Sequence, residues 1–178
     1  MSLPRLRPAP DHDPRPDAYS PDAIARALTK VRPLFESWAG NRNCLPAIER
    51  RLPEAFSVTS GDAYEVARFL ERENVVAPDA DLVRAIDALK TELPGAMRSI
   101  TGEWCLRTGI RFPAYEKDVV EFFIPSIGRQ GTGEVVVVDK VLASGRVQRP
   151  ATGEIHMVLA EDVIANVTRK LRASEESA

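Results

Sequence analysis

The sequence predicts an α+β protein, a helical N-terminal half packed with a small antiparallel β-sheet in the C-terminal half. Three observations carry that reading. Apolar residues recur at helical spacing through the first half, β-branched and aromatic residues crowd into short runs after Pro113, and Gly-containing turns separate those runs. Helical patterns followed by a block of strands describe an α+β layout rather than alternating βαβ units.

The first helix opens at Ser20-Pro21-Asp22, a hydroxyl N-cap, a proline at the first helical position and an acid in the first turn. Ile24, Leu28, Val31 and Phe35 form its apolar stripe, and Pro33 is expected to kink or break it near Arg32. A short helix over Leu45 to Leu52 is expected to close at Pro53. Ser60-Gly61-Asp62 precedes Tyr64, Ala67 and Leu70, and Asp79-Ala80-Asp81 precedes Leu82, Ile86, Leu89 and Leu93, which predicts two further amphipathic helices. Met97, Ile100, Trp104 and Leu106 extend a helical pattern to about residue 109, although Gly95 and Gly102 weaken it.

Beyond Pro113, Val119 to Ile124, Glu134 to Leu142 and Glu154 to Leu159 read as three antiparallel strands. The final segment, 161–172, begins with Glu161-Asp162 and ends with Arg169-Lys170-Leu171-Arg172, a charge order that suits a helix dipole. Its β-branched residues leave a fourth strand open. The expected organisation is thus a Pro-rich, disordered leader over 1–19, one domain over 20–172 (helical 20–109, β-rich 117–160) and a frayed tail over 173–178.

Composition restricts the function classes. The 178 residues are 44% hydrophobic and 28% charged, ordinary values for a domain that folds without staples. Val135–Val138 is as long as any uninterrupted apolar run, far short of the about 20 residues of a membrane helix, so no membrane partner is expected. Two cysteines, Cys44 and Cys105, make no disulfide framework, and with no apolar leader a soluble, cytoplasmic protein is the expectation. Residues 20–95 hold 10 Lys+Arg against 12 Asp+Glu, and residues 96–149 hold 8 against 6. So mild a basic excess excludes a dedicated duplex binder.

Candidate chemistry is sparse. The Gly128-Arg129-Gln130-Gly131-Thr132-Gly133 run leads into a strand and lacks the Lys-Ser/Thr ending of a phosphate loop, so it reads as a flexible hairpin loop. Cys105 with His156, oriented by Asp139 or Glu154, is the one pairing from which a thiol nucleophile and base can be built. Trp104 and Leu106 beside Cys105 favour a buried structural thiol, and an enzyme ranks last. His12 and His156 stand apart from any ligand cluster, so neither metal nor cofactor is expected. Asp79/Asp81 suits a cap and Glu71/Glu73 a solvated helix face.

The most individual stretch is Gly145-Arg146-Val147-Gln148-Arg149 followed by Gly153-Glu154-Ile155-His156-Met157-Val158. It resembles the closing β-hairpin of the OB-fold region in bacterial error-prone DNA polymerase α-subunits. The resemblance spans about twenty residues, departs at Pro150-Ala151-Thr152, and implies an OB-like or barrel-like sheet with no nucleotidyl transfer. Alternation puts Arg146 and Gln148 on the polar side of one strand and Glu154 and His156 on the polar side of the other; if these faces align, Arg146, Gln148 and His156 make a small platform able to contact a phosphate or stack on a base, and Arg129 and Arg149 are further candidate nucleic-acid contacts. The expected function is therefore a small accessory or regulatory binding protein. Its β-rich half is expected to bind single-stranded nucleic acid weakly and its helical half a protein partner. The alternative is a protein-interaction adaptor or oligomeric scaffold without nucleic-acid affinity.

Overall fold

A computed structural model describes residues 13–40 and 43–175, and these divide into two compact units, residues 15–100 and residues 101–175 with 13–14. The structure is α+β, with five α-helices and a five-stranded antiparallel sheet among the described residues. His12, residues 1–12 of the expected leader and 176–178 of the expected tail lie outside the described residues. Among the described residues, no helix is long and apolar enough to cross a membrane.

The first unit contains α1 (Pro21–Ala39), α2 (Leu45–Val58), α3 (Ala63–Arg72) and the first part of α4 (Ala80–Thr108). The caps expected at Ser20 and at Asp79-Ala80-Asp81 are in place, and Asp62 supplies a third. Ser20 Oγ accepts the Ala23 N–H at 3.3 Å, Asp62 Oδ1 the Glu65 N–H at 3.0 Å, and Asp79 Oδ1 the Leu82 N–H at 2.8 Å. The stripes these helices present, among them Ile24, Phe35, Ile48, Leu52, Phe56, Leu70, Ile86 and Leu89, form one buried core.

Two prolines, Pro33 and Pro53, were expected to interrupt or end helices, and neither ends one. Pro33 lies inside α1, Pro53 inside α2 and Pro94 inside α4. A mid-helix proline costs about 3 kcal/mol. In α1 alone Ile24, Leu28, Val31 and Phe35 are buried on both sides of the proline, each burial being worth about 1.5–3 kcal/mol, so packing wins. The end of the expected leader is also ordered: the Tyr19 ring packs on Phe56 with centroids 5.7 Å apart, and Trp104 Nε1 donates to the Asp13 carbonyl at 2.9 Å.

In the second unit α4 continues to Thr108 and is followed by β1 (Val119–Ile124), β2 (Arg129–Asp139), β3 (Ser144–Gln148), β4 (Ile155–Leu159), β5 (Val163–Asn166) and α5 (Val167–Glu175). Their order in the sheet is β4-β3-β2-β1-β5, all neighbours antiparallel. The first four strands are a meander; a 3-10 turn at Ala160–Asp162 then returns the chain to pair β5 with β1. β4 and β5 remain unpaired edges, so the sheet is not closed and the barrel-like expectation is corrected. Val120, Phe122, Val135, Val147, Val158 and Val163 face one core with Trp104 and Phe112.

Two sequence expectations change here. The helix expected over 161–172 begins only at Val167, because Val163 and Ile164 are buried in β5, and Val163, Ala165 and Asn166 pair with Phe122, Glu121 and Val120 of β1. The Gly128–Gly133 loop is mostly strand: the turn is Pro125–Gly128, with Gly128 at φ +64°, and β2 starts at Arg129. Gly131 and Gly133 serve close packing instead. A Cβ on Gly133 would stand 2.5 Å from the Gln148 carbonyl oxygen, and one on Gly131 3.2 Å from the Phe122 ring.

Ile86 is fully buried at the centre of the helical core. Ile86→Ala is expected to destabilise the protein by about 2–5 kcal/mol, measured by urea unfolding followed by far-UV circular dichroism; a loss under ~1 kcal/mol would place that stripe outside the core.

Candidate functional site

Register decides which of the sequence-selected residues share a face, because partners opposite each other in an antiparallel ladder project to the same side. Across β2, β3 and β4, Glu134, Gln148 and Ile155 form one row, and Val137, Arg146 and Met157 form the next. All six side chains are exposed, the three apolar ones by 45–67%. The row between them, Val135, Val147 and His156, points into the core.

The structure therefore brings Arg146 and Gln148 together and separates them from His156. The His156 ring lies 5.8 Å from that of Phe122. Its Nε2 is buried without a hydrogen-bond partner, and Glu154 Oε2 stands 3.8 Å away, beyond hydrogen-bond reach. The β4 polarity expected from sequence is inverted, with Ile155 and Met157 outside and histidine inside. Arg149 sits at the β3–β4 turn, where its guanidinium pairs with Glu154 at 3.2 Å and its N–H donates to the Glu154 carbonyl at 2.9 Å. Gln148 Nε2 donates to the Gly153 carbonyl at 3.3 Å. Arg129 pairs with Ile124 at the far end of β2, about 17 Å along the strand from Glu134. Among the described residues neither Arg146 nor Glu134 has a side-chain partner.

A second feature, a groove of about 1060 Å³ in the same unit, has no counterpart in the sequence reading. Its walls are the C-terminal turns of α4, the segment Gly109–Glu116 and the β2–β3 turn, with Arg169 of α5 at one side. Two close approaches shape it. The Phe112 ring lies on Gly145, where a Cβ would be 2.6 Å from Cζ, and Val141 lies on Gly102 of α4, 3.0 Å from where a Cβ would be. A side chain at Gly145 would force the Phe112 ring away, and one at Gly102 would require Val141 to give by a few tenths of an ångström.

The Gly109–Glu116 wall is held from below by Asp118, which is 8% exposed. Its Oδ2 accepts the Tyr115 N–H at 3.0 Å and Asn166 Nδ2 at 2.9 Å. Asn166 Nδ2 also donates to the Pro113 carbonyl at 3.2 Å, while Asn166 Oδ1 caps α5 by accepting the Arg169 N–H at 2.9 Å. One amide thus joins the loop, β5 and α5.

Cys105, 6% exposed, belongs to the same buried core as Phe122, beside which the His156 ring lies, and also lines the groove; His156 Nε2 makes no hydrogen bond to its thiol. Neither cysteine is in a disulfide. Among the described residues no three His, Cys, Asp or Glu side chains are grouped to hold a metal ion.

Asn166→Ala is expected to cost about 1–3 kcal/mol, because it leaves the buried Asp118 carboxylate short of a donor and removes the α5 cap. Thermal unfolding checks the loss, and amide exchange at Tyr115 and Arg169 should rise with it; an unchanged midpoint would show that solvent satisfies Asp118. No family model, curated protein or solved structure matches the chain.

Proposed function

We propose that the protein is a non-catalytic interaction scaffold that self-associates through the outer face of β2, β3 and β4. The observation that carries the proposal is the pair of outward rows, in which exposed Val137, Ile155 and Met157 surround one unpartnered cation, Arg146, and one unpartnered acid, Glu134. A two-fold axis places the same patch on both copies, so a surface with apolar side chains flanking a polar centre and one charge of each sign is complementary to itself. In the helical unit the exposed large apolar side chains Leu34, Val58 and Tyr64 fall one to a helix, which offers a protein partner less continuous a surface.

A second reading, weak binding of single-stranded nucleic acid, rests on the outward placement of Arg146 and Gln148 and on the polymerase-like hairpin sequence. Against it stand the Arg149–Glu154 ion pair, the inward His156 and two outward rows that contain no aromatic side chain on which a base stacks. The patch is small, so association in the micromolar range is expected.

Sedimentation equilibrium from ~1 to 100 μM should show a monomer–dimer equilibrium, typical of small interfaces. Met157→Asp should abolish it, and Arg146→Glu should weaken it about tenfold, with Glu134→Arg in the same chain restoring the affinity. A monomer throughout that range, or a dimer indifferent to Met157→Asp, overturns the scaffold reading. Anisotropy of a labelled oligonucleotide should stay flat at low salt; salt-sensitive binding lost in the Arg146→Glu, Arg149→Glu variant would instead establish the nucleic-acid reading.

A further inference from the structure

We propose that the groove beside the C-terminal end of α4 binds an amphipathic organic anion, a carboxylate or sulfonate carried on an apolar body. This site is separate from the self-association face and does not depend on it.

The groove carries an excess of positive charge. Arg111, Lys140 and Arg169 line the groove from three separate segments, the loop after α4, the β2–β3 turn and α5. Glu116 is the carboxylate that lines it with them. None of the three cations has an ion-pair partner among the described residues, whereas Arg32 pairs with Glu49, Arg51 with Glu54, Arg68 with Glu71 and Arg84 with Asp81 in the helical unit. In a chain of formal charge −2, three unpartnered cations around one concavity form a local field of the opposite sign to the whole.

Apolar surface supplies the second half. Leu106 is 86% exposed, Tyr115 79% and Val141 46%, all at the rim, and Phe112 lies in the lining. Such side chains gain from covering by an apolar body, while the guanidinium and ammonium groups reach an acidic head at the edge. An inorganic anion would leave the apolar rim wet, and a neutral hydrophobe would leave the cations without a counter-charge. A ligand with both parts satisfies both. Arginine forks match a carboxylate or sulfonate through paired N–H donors, and the volume suits one molecule of ordinary ligand size.

The wall that presents these groups is pre-formed. Asp118 and Asn166 hold Pro113 and Tyr115 in place, and the Phe112 ring is seated on Gly145. Binding therefore requires little ordering of the backbone, which favours affinity.

The test is a fluorescence titration of the full chain with 8-anilinonaphthalene-1-sulfonate, competed by dodecanoate below its micelle concentration. Saturable enhancement at one site per chain and displacement by dodecanoate are expected. The Lys140→Glu, Arg169→Glu variant should bind about tenfold or more weakly, and Lys140→Gln alone by a smaller factor. The Arg146→Glu variant, altered on the sheet's outer face, should bind as the native chain does. Near-UV circular dichroism and the thermal midpoint verify that each variant is folded; if the double variant is not, Lys140→Gln and Arg111→Gln carry the comparison. Equal binding by the folded variants overturns the proposal, as does equal affinity for the neutral N-phenyl-1-naphthylamine. Association with phosphatidylglycerol vesicles that dodecanoate fails to compete would also overturn it, by assigning the cations to a lipid surface.

Discussion

The second unit is organised around one buried carboxylate. Asp118 has been withdrawn from water, and a buried acid is tolerated only when donors converge on it. Those donors come from the Tyr115 backbone and from Asn166, whose oxygen at the same time caps α5. The backbone around the acid is fastened as well, with Lys117 N–H donating to the Val135 carbonyl at 2.7 Å and Val135 N–H to the Asp118 carbonyl at 2.8 Å. The loop after α4, the start of β1, β5 and α5 are thereby fixed to one another, and the groove takes its shape from that arrangement.

Competition between local preference and burial runs through the rest of the chain. Pro33, Pro53 and Pro94 oppose the helices in which they lie, and Glu161-Asp162 together with the basic end of the chain favours a helix where β5 forms. In each case the apolar side chains on both sides of the conflict are buried, and several burials outweigh one lost backbone bond or a few tenths of a kcal/mol of propensity. Gly131 and Gly133 show the reverse relation. Their composition reads as a loop, yet they sit in β2 because the Phe122 ring and the Gln148 backbone occupy the space a side chain would need.

The two candidate surfaces differ in how far they were legible. Arg146 and Gln148 were found because alternation within one strand is a local property. His156 was misplaced because alternation says which residues of β4 share a side, not which side is inward. Ile155-His156-Met157 reads most simply with histidine outside. The ladder instead pairs His156 with Val147 and leaves Met157 opposite Arg146. Arg111, Lys140 and Arg169 were not singled out at all, since no spacing in the sequence connects them; the loop after α4, the β2–β3 turn and α5 bring them to one groove.

By itself the sequence determined what short-range physics can decide: the α+β class, the capped starts of the helices at Ser20 and Asp79, the stripes that became the helical core, and the strand character of 119–124 and 155–159. Periodicity and capping depend on neighbours within a turn or two and so are written locally. Tertiary structure decided the continuation of helices through their prolines, the return of β5 to β1, the inward turn of His156 and the gathering of three cations around one groove. Each of these depends on the free energy of contacts between residues distant in the chain, which no local pattern encodes.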